Sequence, residues 1–213
     1  MIFLHFFPLM MRLKFFSVYL TFSYPAVAFL ALAVICDRKG AVVLCLMSSI
    51  MHESGHLLAM KLTGARLKSI NFNLGEVAIN ADSVRLSYGA EIFVTISGVL
   101  VNFIISFISF VVWLIFNQGF LFKLCISNLL IGVFNLLPVR FLDGGQLLSF
   151  ILKRRLTPEF TDKLLNIVTV IFLVPIGVVA FIFIFNSSFN YSLLFAAVYL
   201  IYTLVSKEFK YVS

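Results

Sequence analysis

The chain has 213 residues, of which 62% are hydrophobic and only 12% charged; Phe alone occupies 26 positions. A soluble fold carries about 25% charged residues to cover its surface, so half that share excludes a soluble globular domain, and the apolar content excludes disorder. The net charge of +7 calls for no nucleic-acid partner, because membrane proteins accumulate Lys and Arg on the cytoplasmic side for insertion reasons alone.

Crossing a 30 Å hydrocarbon core takes about 20 apolar residues. Apolar runs at 15–35, 41–60, 92–116, 120–137, 164–185 and 191–205 therefore predict an all-α polytopic membrane protein of about six transmembrane helices. Residues 1–213 then form a single membrane-embedded domain with the lipid bilayer as its main neighbour. Thirteen of the sixteen basic residues fall in alternate connecting regions. The positive-inside rule accordingly places both termini in the cytoplasm of a multi-pass cell-membrane protein. The first run follows Arg12 and Lys14 and passes a small-residue stretch at Ala31 and Ala33; it continues to Ile35, which favours a retained span over a cleaved signal peptide. Cys36, Cys45 and Cys125 form no CxxC pair and read as packing residues.

Between the second and third runs, residues 65–88 have a different period. Ile70, Phe72 and Leu74, then Val84, Leu86 and Tyr88, alternate with other residues around Gly75, which predicts a small β-hairpin or sheet. Such an edge must lie at the cytoplasmic boundary or against the helices, since unpaired backbone does not face lipid. After the fourth run, 144–155 reads as a short interfacial helix with a basic end. Thr157, Pro158 and Glu159 then supply N-cap, N1 and N2 of the next helix.

The second run contains His52-Glu53-Ser54-Gly55-His56. Residues four apart share a helical face, so both imidazoles can bind one metal ion while Glu53 reaches water beside it. Ionisable groups inside a span cost several kcal/mol and mark function by default, and two of the three histidines of the chain lie here. His5, the third, has no evident role. A zinc hydrolase uses three protein ligands and leaves a fourth position for water, which makes Glu76, Asp82, Glu91, Asp143, Glu159, Asp162 and Glu208 the candidates for the third. Depth separates them. Lys61 follows His56 closely, so the motif lies roughly 8 to 13 Å below the cytoplasmic boundary, a level shared by Asp143 just after the fourth run. Glu91 is the nearest rival, with an ordinary role as an acid at a helix N-terminus. Around Asp143, in Asn135-Leu136-Leu137-Pro138-Val139-Arg140-Phe141-Leu142-Asp143-Gly144-Gly145, the proline ends or kinks the helix and the glycines allow close backbone approach.

These two motifs, in this order, resemble the site-2 protease family of intramembrane zinc metalloproteases; the likeness covers about 41–156. The resemblance implies one zinc ion per chain held by His52, His56 and Asp143, with Glu53 as the catalytic glutamate. It also implies hydrolysis of a peptide bond in or near a transmembrane segment of a membrane-associated protein, a regulatory precursor in the sporulation-type branch to which a form lacking a C-terminal regulatory domain is most similar. A regulatory membrane partner has no signature in the chain. The family's glycine-proline-x-x-asparagine element is incomplete: Gly98 and Asn102 are present and the proline is not. Asn102 and Asn135 are candidates for substrate or oxyanion contacts, with interhelical bonding and repair of backbone near Pro138 as their structural roles. Two other classes are weighed against protease. A metal-ion transporter is expected to repeat its site in two halves, and no repeat is found; a catalytically inactive scaffold loses the glutamate, and Glu53 is present.

Overall fold

A computed structural model of the chain describes residues 10–15, 18–37, 40–65, 67–73, 76–81 and 86–186. In chain order the elements are β1 (Met10–Phe15), β2 (Val18–Ser23), α1 (Tyr24–Cys36), α2 (Ala41–Leu62), β3 (Leu67–Asn73), β4 (Glu76–Ala81), α3 (Tyr88–Phe116), α4 (Gly119–Asn135), α5 (Asp143–Lys153) and α6 (Pro158–Asn186).

The expectation of an all-α protein with about six transmembrane helices and a local hairpin needs correction. First, the alternating stretch after α2 forms β3 and β4, but these are half of a four-stranded sheet of order β1-β2-β3-β4. Strands β1 and β2 pair antiparallel, β2 and β3 parallel with Leu20 opposite Ile70, and β3 and β4 antiparallel with Ile70 opposite Ile79. Second, the first apolar run is divided: its start supplies β2, and α1 has only 13 residues, about 20 Å of helix, too short for a span. Third, among the described residues two helices, α2 and α3, are long and apolar enough to cross a membrane; α4 is apolar but has 17 residues. The run at 191–205 and the turn at Gly75 lie outside the described residues. An apolar run carries no periodicity that separates a buried strand from a helix, and the β-branched and aromatic residues Val18, Tyr19, Thr21 and Phe22 favour the strand.

Helix α2 is closed at both ends by specific bonds. The Asp37 carboxylate accepts from Val42 N at 2.7 Å, which satisfies one of the orphan donors of the first turn and places a negative charge at the positive end of the dipole. At the other end Gly64 adopts φ 77. The amides of Ala65 and Gly64 donate to Met60 O and Lys61 O, the Schellman pattern that turns the chain away from the helix. The chain then enters β3.

Helix α3 packs against α2, α4 and α5. The packing is inverted relative to a soluble protein. Ser48, Ser97, Asn102, Ser106, Ser109, Ser127 and Asn128 are buried, whereas Ile50, Phe107, Leu114 and Ile115 are 63–70% exposed. Small and polar side chains facing inward and large apolar ones facing outward suit lipid as the solvent, where helix association rests on close packing and interhelical hydrogen bonds. Gly55 and Gly132 make the close approach possible: a Cβ on Gly55 would lie 2.7 Å from Ser97 O, and one on Gly132 2.9 Å from Phe103 Cε1.

Between α4 and α5 the chain folds back on itself. A Cβ on Gly144 would collide with Leu136 O and one on Gly145 with Val139 O; the obstacles are main-chain atoms and cannot swing aside. The outer side of this loop is tied to α6: Arg140 N donates to Thr169 Oγ1, and the Arg140 guanidinium bonds Asn166 Oδ1 at 2.8 Å and Asp162 Oδ1 at 3.2 Å. Gly144→Ala or Gly145→Ala is expected to force the loop open, destabilising the fold by about 1–3 kcal/mol and displacing Asp143. Thermal unfolding in detergent checks this, and a midpoint equal to wild type for both variants would show that the loop yields without cost.

Candidate metal centre

The buried positions of α2 include Leu44, Ser48, His52, Gly55, His56 and Ala59, a spacing of three and four that makes one stripe directed at α3. His52 and His56 are therefore delivered by helix geometry alone. Space for them comes from α3, where Gly98 stands opposite: a Cβ there would lie 2.5 Å from His56 Nε2 and 2.8 Å from His52 Cε1. The two rings meet edge to face, their centroids 4.8 Å apart at 83°.

Asp143, the first residue of α5, completes the group. Its Oδ2 lies 3.0 Å from His52 Nε2 and 3.3 Å from His56 Nε2, and the two Nε2 atoms are 3.1 Å apart. Among the described residues these three form a group able to hold a metal ion. Glu91, the nearest rival for third ligand, stays half-buried in the first turn of α3 outside that group. Asp162 is spent on Arg140, and Glu159 is exposed at the start of α6; the side chains of Glu76, Asp82 and Glu208 lie outside the described residues.

Hydrogen bonding behind the rings decides what the group can do. His52 Nδ1 lies 2.6 Å from Asn102 Oδ1, and His56 Nδ1 lies 2.8 Å from the Val94 carbonyl. Both partners are acceptors, so each Nδ1 carries the proton and each neutral ring presents a lone pair at Nε2. Asp143 Oδ2 is buried and makes no hydrogen bond. Three lone-pair atoms thus face one another with no proton between them, an arrangement that a cation satisfies. Tetrahedral zinc with bonds of 2.0–2.1 Å holds its ligand atoms about 3.3 Å apart, close to the 3.0, 3.1 and 3.3 Å observed. The residues fit a metal.

Glu53 sits half-buried on α2, next to His52 in the chain. Asn102 is fully buried behind His52, and its amide also donates to Ser48 O at 3.1 Å and Asn128 Oδ1 at 2.9 Å, the interhelical bonding expected as its structural role. Asn135 is half-buried at the end of α4 and donates to Ile131 O at 3.0 Å, a bond one turn back along its own helix and not a repair around Pro138. Ser48 and Asn128, both fully buried, escaped the sequence reading; an amide in the middle of an apolar run was the available signal for Asn128.

The fold and this cluster define a membrane-associated protein with a metal-binding group inside an inverted helix bundle. Residues 113–176 match the model of peptidase family M50. Over 119 residues the chain is 32% identical to a zinc metalloprotease of Methanocaldococcus jannaschii, covering 53% of this chain and 34% of that protein; the chain thus spans about a third of the length of that curated relative. The structure is similar to that of the site-2 protease from Methanocaldococcus jannaschii, with a TM-score of 0.65 at 23% identity over 91% of this chain and 92% of the other. The likeness to peptidase family M50 covers residues 113–176, and the likeness to the solved structure is one of fold.

Gly98→Ala is expected to push the imidazoles out of register, because the added methyl occupies the position of the rings. Metal content of the purified protein should fall well below that of wild type while the helical circular-dichroism signal is retained; wild-type metal content in this variant contradicts the close packing of Gly98 on the histidines.

Proposed function

We propose that the chain is an intramembrane zinc metalloprotease that hydrolyses a peptide bond in or near a transmembrane segment of a membrane-associated protein, with a regulatory precursor as the substrate class. The observation that carries this reading is the convergence of His52 Nε2, His56 Nε2 and Asp143 Oδ2 within 3.3 Å of one another, inside an apolar bundle and one residue from Glu53. We assign one zinc ion per chain to these three ligands, since imidazole and carboxylate donors in a three-ligand set suit zinc with a position left open.

Zinc bound there supplies Lewis-acid chemistry, polarising a carbonyl and making water nucleophilic near neutral pH. Glu53 takes the proton of the attacking water and delivers it to the leaving amine. His52 and His56 keep their Nδ1 protons on Asn102 and Val94 throughout, so neither competes with Glu53 for that role. A helical substrate has its peptide groups already bonded internally and must unwind first. The sheet offers an edge in β4, where an unwound segment can add as a strand. Asn135 remains a proposed contact for the substrate or oxyanion, by exchanging its bond to Ile131 O. The protein is proposed to be multi-pass in the cell membrane, with both termini cytoplasmic.

Glu53→Gln is expected to reduce cleavage of a single-span reporter protein by about 10²–10⁴-fold while zinc is retained, and Asp143→Asn to lower both zinc content and cleavage. Reporter cleavage in lipid vesicles and metal analysis of the same preparations check the pair. Full activity in both variants would sink the assignment, and metal binding without any reporter cleavage by wild type would favour a transporter or scaffold instead.

A further inference from the structure

We propose that Asn128 on α4 is a positioning residue that, through Asn102, locks His52 in the tautomer and orientation needed for metal binding; this rests on the metal site proposed above. The two histidines are held by different means. His56 Nδ1 donates to the Val94 carbonyl at 2.8 Å, a main-chain acceptor that cannot turn round. His52 Nδ1 meets the Asn102 side-chain amide at 2.6 Å, and an amide can flip. A flipped Asn102 would present its NH₂ to Nδ1, move the ring proton to Nε2 and block the lone pair aimed at Asp143. Something must hold the amide.

The bonds behind it do so in a chain that leaves one consistent arrangement. Asn128 Nδ2 donates to Leu124 O and to Ser48 Oγ, each at 3.0 Å; the first of these is a carbonyl, which identifies that end of the amide as NH₂. Asn128 Oδ1 must then face Asn102, and it accepts from Asn102 Nδ2 at 2.9 Å. The same Nδ2 donates its other proton to Ser48 O at 3.1 Å. Both protons of Asn102 are used on acceptors, so its Oδ1 is left to face His52. Reversing either amide would set donor against donor, or oxygen against carbonyl oxygen, among residues that are 0% exposed, where no water can repair the mismatch. Three helices thus determine where one proton sits: α4 orients α3, and α3 orients the ring on α2.

Outer partners of metal-bound histidines are worth about 10–100-fold in metal affinity. Asn128→Leu keeps the branched shape and removes both ends of the relay, leaving the Asn102 amide protons with Ser48 O alone; its zinc affinity, measured by chelator competition on the full chain in detergent, is expected to fall about tenfold, and the visible bands of the cobalt-substituted protein to shift. Asn128→Asp, kept protonated by burial, donates its hydroxyl to Leu124 O, keeps an oxygen for Asn102 Nδ2 and is expected to restore both readouts. Ser106→Ala controls for general damage to the α3–α4 contact, because Ser106 bonds Cys125 O at 2.9 Å across the same pair of helices; it should leave zinc affinity and cobalt spectrum at wild-type values. Wild-type affinity and spectrum in Asn128→Leu, or equal shifts in Ser106→Ala, overturn the positioning role while leaving the metal site intact. Failure of wild type to bind either metal overturns the site itself. Should Asn128→Leu fail to fold, ¹⁵N-histidine spectra of the wild-type protein in bilayers decide the matter: a proton on Nδ1 of His52 supports the relay, and one on Nε2 refutes it.

Discussion

Everything at the centre of this protein follows from one electrostatic requirement: lone pairs of two imidazoles and a carboxylate are brought within 3.3 Å of one another inside an apolar bundle. Without a cation between them such an arrangement is repulsive, and burial removes the water that would relieve it. Neutral rings with their protons turned outward are a precondition. The Val94 carbonyl and the Asn102 amide therefore belong to the candidate site as much as the two rings do, since each holds an Nδ1 proton outward and leaves Nε2 free for a cation.

This requirement also shapes the core. Imidazoles four residues apart on α2 need room on the facing helix, and Gly98 provides it by lacking a side chain. The amides that hold the rings need partners of their own, which explains why Ser48, Asn102 and Asn128 are all fully buried in a chain with so few polar residues. In lipid the large apolar side chains gain nothing by facing inward. The inside is therefore open to small and polar residues, and the demands of the site and of the solvent agree.

Legibility from the sequence followed the locality of the geometry. HESGH could be read at once because helical spacing alone puts His52 and His56 on one face. Asp143 required an argument about depth, and the structure brings it to the histidines through a loop no local rule specifies. The contact of Asn102 with His52 was not legible: the residue was noticed, but its direction depends on packing between α2, α3 and α4. Strands β1 and β2 were missed for a different reason. Apolar residues at 18–23 suit a membrane helix or a covered strand equally, and the choice is made by pairing with β3, nearly fifty residues away.

The contrast between the ligands bears on how the centre can open. Two of them ride on a helix whose ends are fixed by Asp37 and by the turn at Gly64, so they move only as a body. Asp143 is carried by a loop whose tightness depends on Gly144 and Gly145, and whose outer side is tied to α6 through Arg140, Thr169, Asn166 and Asp162. Movement of α6 therefore reaches Asp143 before it reaches either histidine. The position of the carboxylate therefore depends on contacts of the α4–α5 loop with α6, while the histidine pair is set within α2 and by the amides behind it.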